Sequence, residues 1–295
     1  MTGTFADRLG SLTEIRTHHP EAVADAAARR VRRSTLLGPS GRLMIIAADH
    51  PARGALAAGD RPLAMADRTD LLHRLCVALR RPGVDGVLGT PDIVEDLLLL
   101  GVLDEKIVIG SMNRGGLAGT SFEIDDRFTA YDSGAIAEQG LDGGKMLLRI
   151  EDDDPATART LESCAHAVTS LARQGLMAMV EPFISQRTGG RVRNVLTPDA
   201  MTRAIAIASG LGATSAYTWL KVPVVEDMER VMAASTLPAL LLGGEVPADQ
   251  DTALAGWRKA LALPTVKGLV VGRSLLYPAG DDVAAAVDAA AEVTS

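Results

Sequence analysis

Eight short apolar runs, at 42–48, 84–88, 106–110, 145–150, 176–180, 216–221, 238–242 and 267–271, most narrow what this chain can fold into. Each is five to seven residues long and rich in Val, Ile, Leu and Met. Near-continuous apolar strands of that length fit a parallel sheet covered on both faces. Between them lie stretches that repeat apolar residues at helical spacing, at 64–80, 92–100, 156–173, 198–209, 225–234 and 249–262. Pro198 behind Thr197 reads as a first-turn proline following an N-cap. Eight βα units within about 250 residues predict a single (β/α)8 barrel, here over 37–295. The competing doubly wound sheet would carry GxGxxG after its first strand, and AADHPARG stands there instead. Residues 1–36 read as a helical extension that closes the bottom of the barrel.

Composition supports a large core. Of 295 residues, 47% are hydrophobic and 23% charged, which excludes a disordered chain. A net charge of −7 argues against a nucleic-acid groove, because neutralising phosphates needs a net basic face. An anionic ligand must therefore be held by locally placed Arg, Lys and backbone N–H groups. The two cysteines, Cys76 and Cys164, form no CxxC pair, which disfavours a disulfide framework or a zinc knuckle. The first twenty residues carry acids and no apolar h-region, and no apolar run approaches the roughly 18 residues of a membrane span. A cytoplasmic protein without a membrane partner is expected, with a homo-oligomer left open.

In a (β/α)8 barrel the chemistry sits at the C-terminal ends of the strands. Those ends hold Asp49-His50 on the first, Ser111 to Arg114 on the third and Glu181 on the fifth. The sixth ends in Lys221, the seventh in Gly243-Gly244-Glu245 and the eighth in Gly272-Arg273-Ser274. Lysine is the informative type, since the chain has 5 against 25 arginines. Lys106, Lys259 and Lys267 sit at rims or on a helix and read as solvated. Lys145 and Lys221 are embedded in apolar strands, GGKMLLRI and AYTWLKVPVV. A lysine there must snorkel out or be buried for a reason. Desolvation and a second cation both lower an ammonium pKa, which turns an amine into a nucleophile toward a carbonyl.

Side chains alternate across a strand, so Lys145, Leu147 and Arg149 share a face. Glu181 shares one with Met179 and Met177, Asp49 with Ala47 and Ile45, and Lys221 with Trp219 and Tyr217. One choice of parity per strand puts two lysines and two carboxylates inside one barrel. A structural ion-pair network without chemistry is the alternative. The glycines of LLLGGE and VVGRSL, Gly243, Gly244 and Gly272, allow close backbone approach to a phosphate, with Arg273 as charged donor. Ser111, Arg114, Arg149 and His50 complete the candidate binding set, and the basic segment 187–193 reads as solvated loop charge. No cluster of His and carboxylates has metal-ligand spacing, so neither a metal nor another cofactor is expected.

The ordered motifs AADHPARGAL, DGGKMLLRI, MVEPFI and WLKVPVV resemble the class I aldolases of the deoxyribose-phosphate aldolase and tagatose-bisphosphate aldolase superfamily, from about residue 42 to 280. The resemblance implies a Schiff-base barrel with Lys221 forming the imine and Asp49, Lys145 and Glu181 around it. The bisphosphate enzymes of that group carry Lys-Val-Glu on the sixth strand, and this chain carries Lys221-Val222-Pro223. Among relatives it looks most like aldolase-like proteins encoded with inositol-degradation enzymes in actinobacteria. That implies a phosphorylated sugar or sugar acid as ligand, with 2-deoxy-5-keto-D-gluconate 6-phosphate as first choice. Fructose, tagatose and deoxyribose phosphates are alternatives. An isomerase or synthase without an imine, or a sugar-phosphate-binding barrel without chemistry, also remains open.

Overall fold

The computed structural model describes residues 5–244, 246 and 249–295; Glu245 of the seventh-strand motif lies outside them. Two helices come first, α1 (Phe5–His18) and α2 (Ala22–Arg29), then β1 (Leu43–Ala47), α3 (Arg68–Leu79), β2 (Gly86–Gly89), α4 (Pro91–Leu99) and β3 (Ile107–Ser111). There follow α5 (Ser133–Glu138), β4 (Gly143–Ile150), α6 (Ala156–Arg173), β5 (Met177–Thr188), β6 (Arg191–Asn194), α7 (Pro198–Ser209) and β7 (Thr218–Pro223). The chain closes with α8 (Met228–Met232), β8 (Ala239–Leu242), α9 (Gln250–Leu261), β9 (Val266–Val271), α10 (Arg273–Leu276) and α11 (Val283–Thr294). Eight strands pair in parallel around a ring, β1-β2-β3-β4-β5-β7-β8-β9 and back to β1. This is the (β/α)8 barrel that the eight apolar runs predict.

The strands are apolar on both faces because they serve two cores. Ile45, Ala47, Ile109, Met177, Met179 and Leu240 belong to an inner cluster, with Trp219 packed against it. Their alternates, such as Met44, Ile46, Met146, Ala178, Val180 and Leu220, belong to the larger outer cluster shared with the helices. Side-chain carboxylates and a hydroxyl start several helices. Asp67, Asp132, Thr197 and Asp282 each accept a first-turn backbone N–H, and Pro198 follows Thr197 as N1.

Two details depart from the apolar pattern. The fifth strand does not stop at Val180; it runs on to Thr188 and turns back as the antiparallel β6, so segment 187–193 is a hairpin. Gly189 and Gly190 make its turn at φ 58 and 79, a left-handed conformation that glycine adopts without steric cost. Nearer the start of the chain, Leu36 and Leu37, just before β1, also pack against the inner cluster. Helices α1 and α2 lie beside α4, where Arg16 pairs with Glu95 and Asp96.

Candidate active site

Ladder register brings the inward polar residues to neighbouring levels. Lys145 stands opposite Ser111 on β3 and Met179 on β5, and Glu181 opposite Leu147. Met179 stands opposite Trp219 on β7, so Lys221, two residues on, comes level with Glu181. The result is one connected network. Glu181 Oε1 lies 2.6 Å from Lys221 Nζ, and Glu181 Oε2 lies 2.5 Å from Lys145 Nζ. Lys145 Nζ also reaches Asp49 Oδ2 at 3.2 Å, where Ser111 Oγ donates at 2.9 Å and Arg114 Nη1 approaches to 3.2 Å.

These groups are removed from water: Asp49 is 2% exposed, Lys145 2%, Lys221 5% and Glu181 8%. Burial raises the cost of every charge among them, so neighbours decide the ionisation. Burial works to push Glu181 up, but Lys145 and Lys221 outweigh it and hold the carboxyl at about 2. Asp49 is likewise held well below the usual carboxylate range, against burial, by Arg114 and Lys145. For Lys145 burial wins over Asp49 and Glu181, and the ammonium is pushed down to about 8. Three basic side chains, Arg114, Lys145 and Lys221, thus face two carboxylates.

Two further buried ion pairs stand beside this network. Arg53, in the turn after β1, pairs with Asp126 and donates to Gly116 O at 2.6 Å and Asn113 O at 3.0 Å. Burial, with Arg114 and Arg149 adding like charge, pushes the Arg53 guanidinium down to about 10 against the pull of Asp126. Arg149 pairs with Glu123 at 2.5 Å and donates to Glu123 O at 2.6 Å, so it clamps the loop after β3. Arg53, Glu123 and Asp126 carry no strand-end or periodic signal, and only a buried-pair partner reveals them.

The loops after β8 and β9 come together at the same end of the barrel. Gly244 has φ 66, and Arg273 Nη2 donates to its carbonyl at 3.2 Å. A Cβ on Gly272 would stand 2.3 Å from Ala47 O and 3.0 Å from His50 Cε1. A Cβ on Gly243 would stand 2.5 Å from Val271 Cγ1 and 3.1 Å from Ser274 Oγ. Ser274 Oγ, Arg273 Nε and His50 Nδ1 are buried there without a hydrogen-bond partner among the described residues. Leaving such groups unmade costs about 1–3 kcal/mol each, which an acceptor-rich ligand would recover. Ser274 stands in the eighth strand-end motif, a hydroxyl inside the apolar run VVGRSLL.

The three tyrosines of the chain lie outside this network. Tyr131 and Tyr277 belong to the outer cluster, and Tyr217 is 42% exposed. Among the described residues, no three His, Cys, Asp or Glu side chains converge as a metal site, and no helix is long and apolar enough to cross a membrane. A cleft of about 580 Å³ opens near the N-terminal ends of the strands, beside Arg33, Asp85, Asp104 and Lys106. Arg33 and Asp85 pair across it at 2.5 Å, and it holds none of the network described above.

Known structures share this architecture. A Schiff-base-forming fructose-1,6-bisphosphate aldolase superposes with a TM-score of 0.62 at 20% identity, over 92% of this chain and 100% of that one. An archaeal fructose-1,6-bisphosphate aldolase, with its catalytic Lys covalently bound to the carbinolamine intermediate of the substrate, gives 0.61 at 19% identity over 92% and 99%. At such identities the likeness is one of fold. No curated protein sequence matches the chain. Cgl0159 from Corynebacterium glutamicum (Brevibacterium flavum) is 55% identical, with 98% of this chain and 97% of that one covered and a TM-score of 0.95. The Cgl0159-like family model matches residues 41–291, and the chain belongs to that family.

Proposed function

We propose that this barrel is a class I aldolase that needs no metal and cleaves a phosphorylated ketose or keto-acid through an imine on Lys221. One observation carries the reading: a buried lysine at the strand ends touches a carboxylate that a second buried lysine also holds. Lys221 passes a proton to Glu181 across 2.6 Å and attacks the substrate ketone as an amine. The carbinolamine hydroxyl leaves as water with a proton from Lys145, which at about 8 is acidic enough to donate near neutral pH. The resulting iminium is an electron sink. Glu181 hands the proton it received on to Lys145 across 2.5 Å, which restores the ammonium and frees the carboxylate. As Glu181 then takes the proton of the hydroxyl on the β carbon, the bond between the α and β carbons breaks and the aldehyde departs. The enamine left on Lys221 is protonated on carbon, and water hydrolyses the iminium to free dihydroxyacetone phosphate and the amine. Proton transfer by positioned groups of this kind is typically worth about 10²–10⁴-fold.

Asp49 Oδ2 is occupied by Ser111, Lys145 and Arg114, which suits holding Lys145 in place more than exchanging protons. Arg149, spent on Glu123, positions the wall of the site. Gly243, Gly244, Gly272, Arg273 and the unpaired Ser274 hydroxyl suit the substrate phosphate. Within this reading the first substrate to test is 2-deoxy-5-keto-D-gluconate 6-phosphate, which would give dihydroxyacetone phosphate and malonate semialdehyde. Fructose and tagatose 1,6-bisphosphates and deoxyribose phosphate are the comparison set.

Borohydride reduction in the presence of dihydroxyacetone phosphate, followed by peptide mass spectrometry, tests the imine. A reduced adduct on Lys221, lost in Lys221→Ala, is expected. If no adduct forms and none of the four substrates turns over, the lyase reading fails, leaving an isomerase without an imine or a binding barrel.

A further inference from the structure

We propose that His50 takes up a proton when a doubly charged oxyanion settles in the loops after β8 and β9, so that an imidazolium joins Arg273 in holding it. The inference rests on the phosphate-loop part of the reading above and is independent of the imine. His50 ends the turn out of β1, the strand that pairs with β9. Its ring lies against Gly272, with Cε1 3.0 Å from where a Cβ would stand, so a larger residue at 272 would displace it. Nδ1 is buried and has no hydrogen-bond partner among the described residues, and at 4.0 Å from Asp49 Oδ1 it is beyond hydrogen-bond reach. The side chain is 22% exposed, so part of the ring remains open to solvent.

Among the described residues, the charged groups that face the ring come from four elements. Asp49 lies on its own strand end, Arg273 follows β9, Lys221 comes from β7 and Lys145 from β4. Burial acts first, and Arg273, Lys221 and Lys145 add to it against the opposing pull of Asp49, so the ring is held neutral with its pKa pushed down to about 3. A dianion beside Gly272 and Arg273 adds two negative charges to this balance at short range, where Coulomb energies are largest. The imidazole then gains from protonation what it lost in the empty site. By linkage, the dianion binds more tightly as pH falls.

Sulfate is the probe, because it stays a dianion across the range and any proton taken up belongs to the protein. Calorimetric titration at pH 6 in two buffers of different ionisation enthalpy reads the uptake directly. Lys145 already holds its proton at pH 6, with a pKa of about 8, so it contributes nothing there. Wild-type protein is expected to take up close to one proton per sulfate at pH 6, less at pH 8. His50→Gln keeps a ring-sized hydrogen-bonding amide without the titration. It should bind about tenfold more weakly, the worth of one charge-assisted hydrogen bond, with no uptake. Buffer-independent enthalpy in the wild type, absence of sulfate binding, or unchanged uptake in His50→Gln each overturns the proposal. The wild-type measurement decides even if that variant folds poorly. Borohydride trapping reports separately on the lyase reading, so either can fail while the other stands.

Discussion

The side-chain amide of Asn113 hydrogen-bonds the backbone of Leu147 in both directions: Nδ2 donates to Leu147 O at 2.5 Å, and Leu147 N donates to Oδ1 at 2.8 Å. The main-chain ladder between β3 and β4 ends at the pair Ser111 and Lys145. In that register, residue 113 is the next inward neighbour of 147. The amide therefore continues the ladder one step beyond the backbone pairing. Leu147 sits between Lys145 and Arg149, so this step fixes the part of β4 that carries the site.

Replacing Asn113 by Ala leaves two backbone groups of Leu147 without partners, at about 1–3 kcal/mol each. Thermal unfolding followed by circular dichroism should fall by several degrees. Turnover should drop further than the stability loss explains, because a misplacement of about 1 Å at a reacting group can cost on the order of 100-fold. Asn113→Asp should be no better, since it sets a carboxylate oxygen against the Leu147 carbonyl. A melt of the Ala variant within a degree of wild type would refute the ladder role.

The excess of basic over acidic groups makes two opposite stability predictions. Lys145→Met removes the extra cation and leaves Arg114 and Lys221 against Asp49 and Glu181, so the fold should survive with turnover down about 100-fold or more. Glu181→Leu strands the Lys221 ammonium, leaves Lys145 with Asp49 alone, and should cost about 3–5 kcal/mol. The pH dependence distinguishes the cause. Lys145 in the folded chain sits at about 8, below its ordinary 10.5. Between those values the unfolded chain binds a proton that the native chain does not, so native stability rises with pH there. Lys145→Met lacks that gain. Its melting temperature should therefore match or exceed wild type at pH 7, and the advantage should shrink as pH climbs from 8 toward 10.5. Melts at four pH values in that range check the sign, and a difference that is flat with pH would exclude the buried ammonium as its origin.

What was readable in the amino-acid order follows from how locally each signal is encoded. A barrel strand needs two apolar faces, so eight such runs are visible residue by residue, and a lysine inside one is conspicuous. Parity then places Lys145, Glu181, Lys221 and Asp49 together without any knowledge of loops. The fifth strand reads as ending at Glu181, where the apolar run 176–180 gives out, yet Pro182 sits within β5 opposite Leu148 and the strand continues. The Gly189-Gly190 pair was the local sign of the hairpin beyond it. Arg53 with Asp126 and Arg149 with Glu123 are of another kind. They join positions 73 and 26 residues apart, and two of the four partners lie in a loop without periodicity, so only the closed barrel reveals who meets whom.

Arg149 and Glu123 supply the clearest separation of structure from chemistry. Both are buried, at 2.5 Å, and removing either one leaves an uncompensated charge. Arg149→Met and Glu123→Leu should each lose about 3–5 kcal/mol, whereas the double variant should recover most of it, since an apolar pair can replace a buried ion pair at little cost. Chemical denaturation of the three variants and the wild type completes the cycle. Turnover in the double variant then decides the role of the arginine. A clamp on the loop after β3 predicts substantial recovery of kcat/KM along with stability. A guanidinium that must contact the substrate predicts restored stability with kcat/KM still depressed by the 10-fold or more that one lost charge-assisted hydrogen bond would bring.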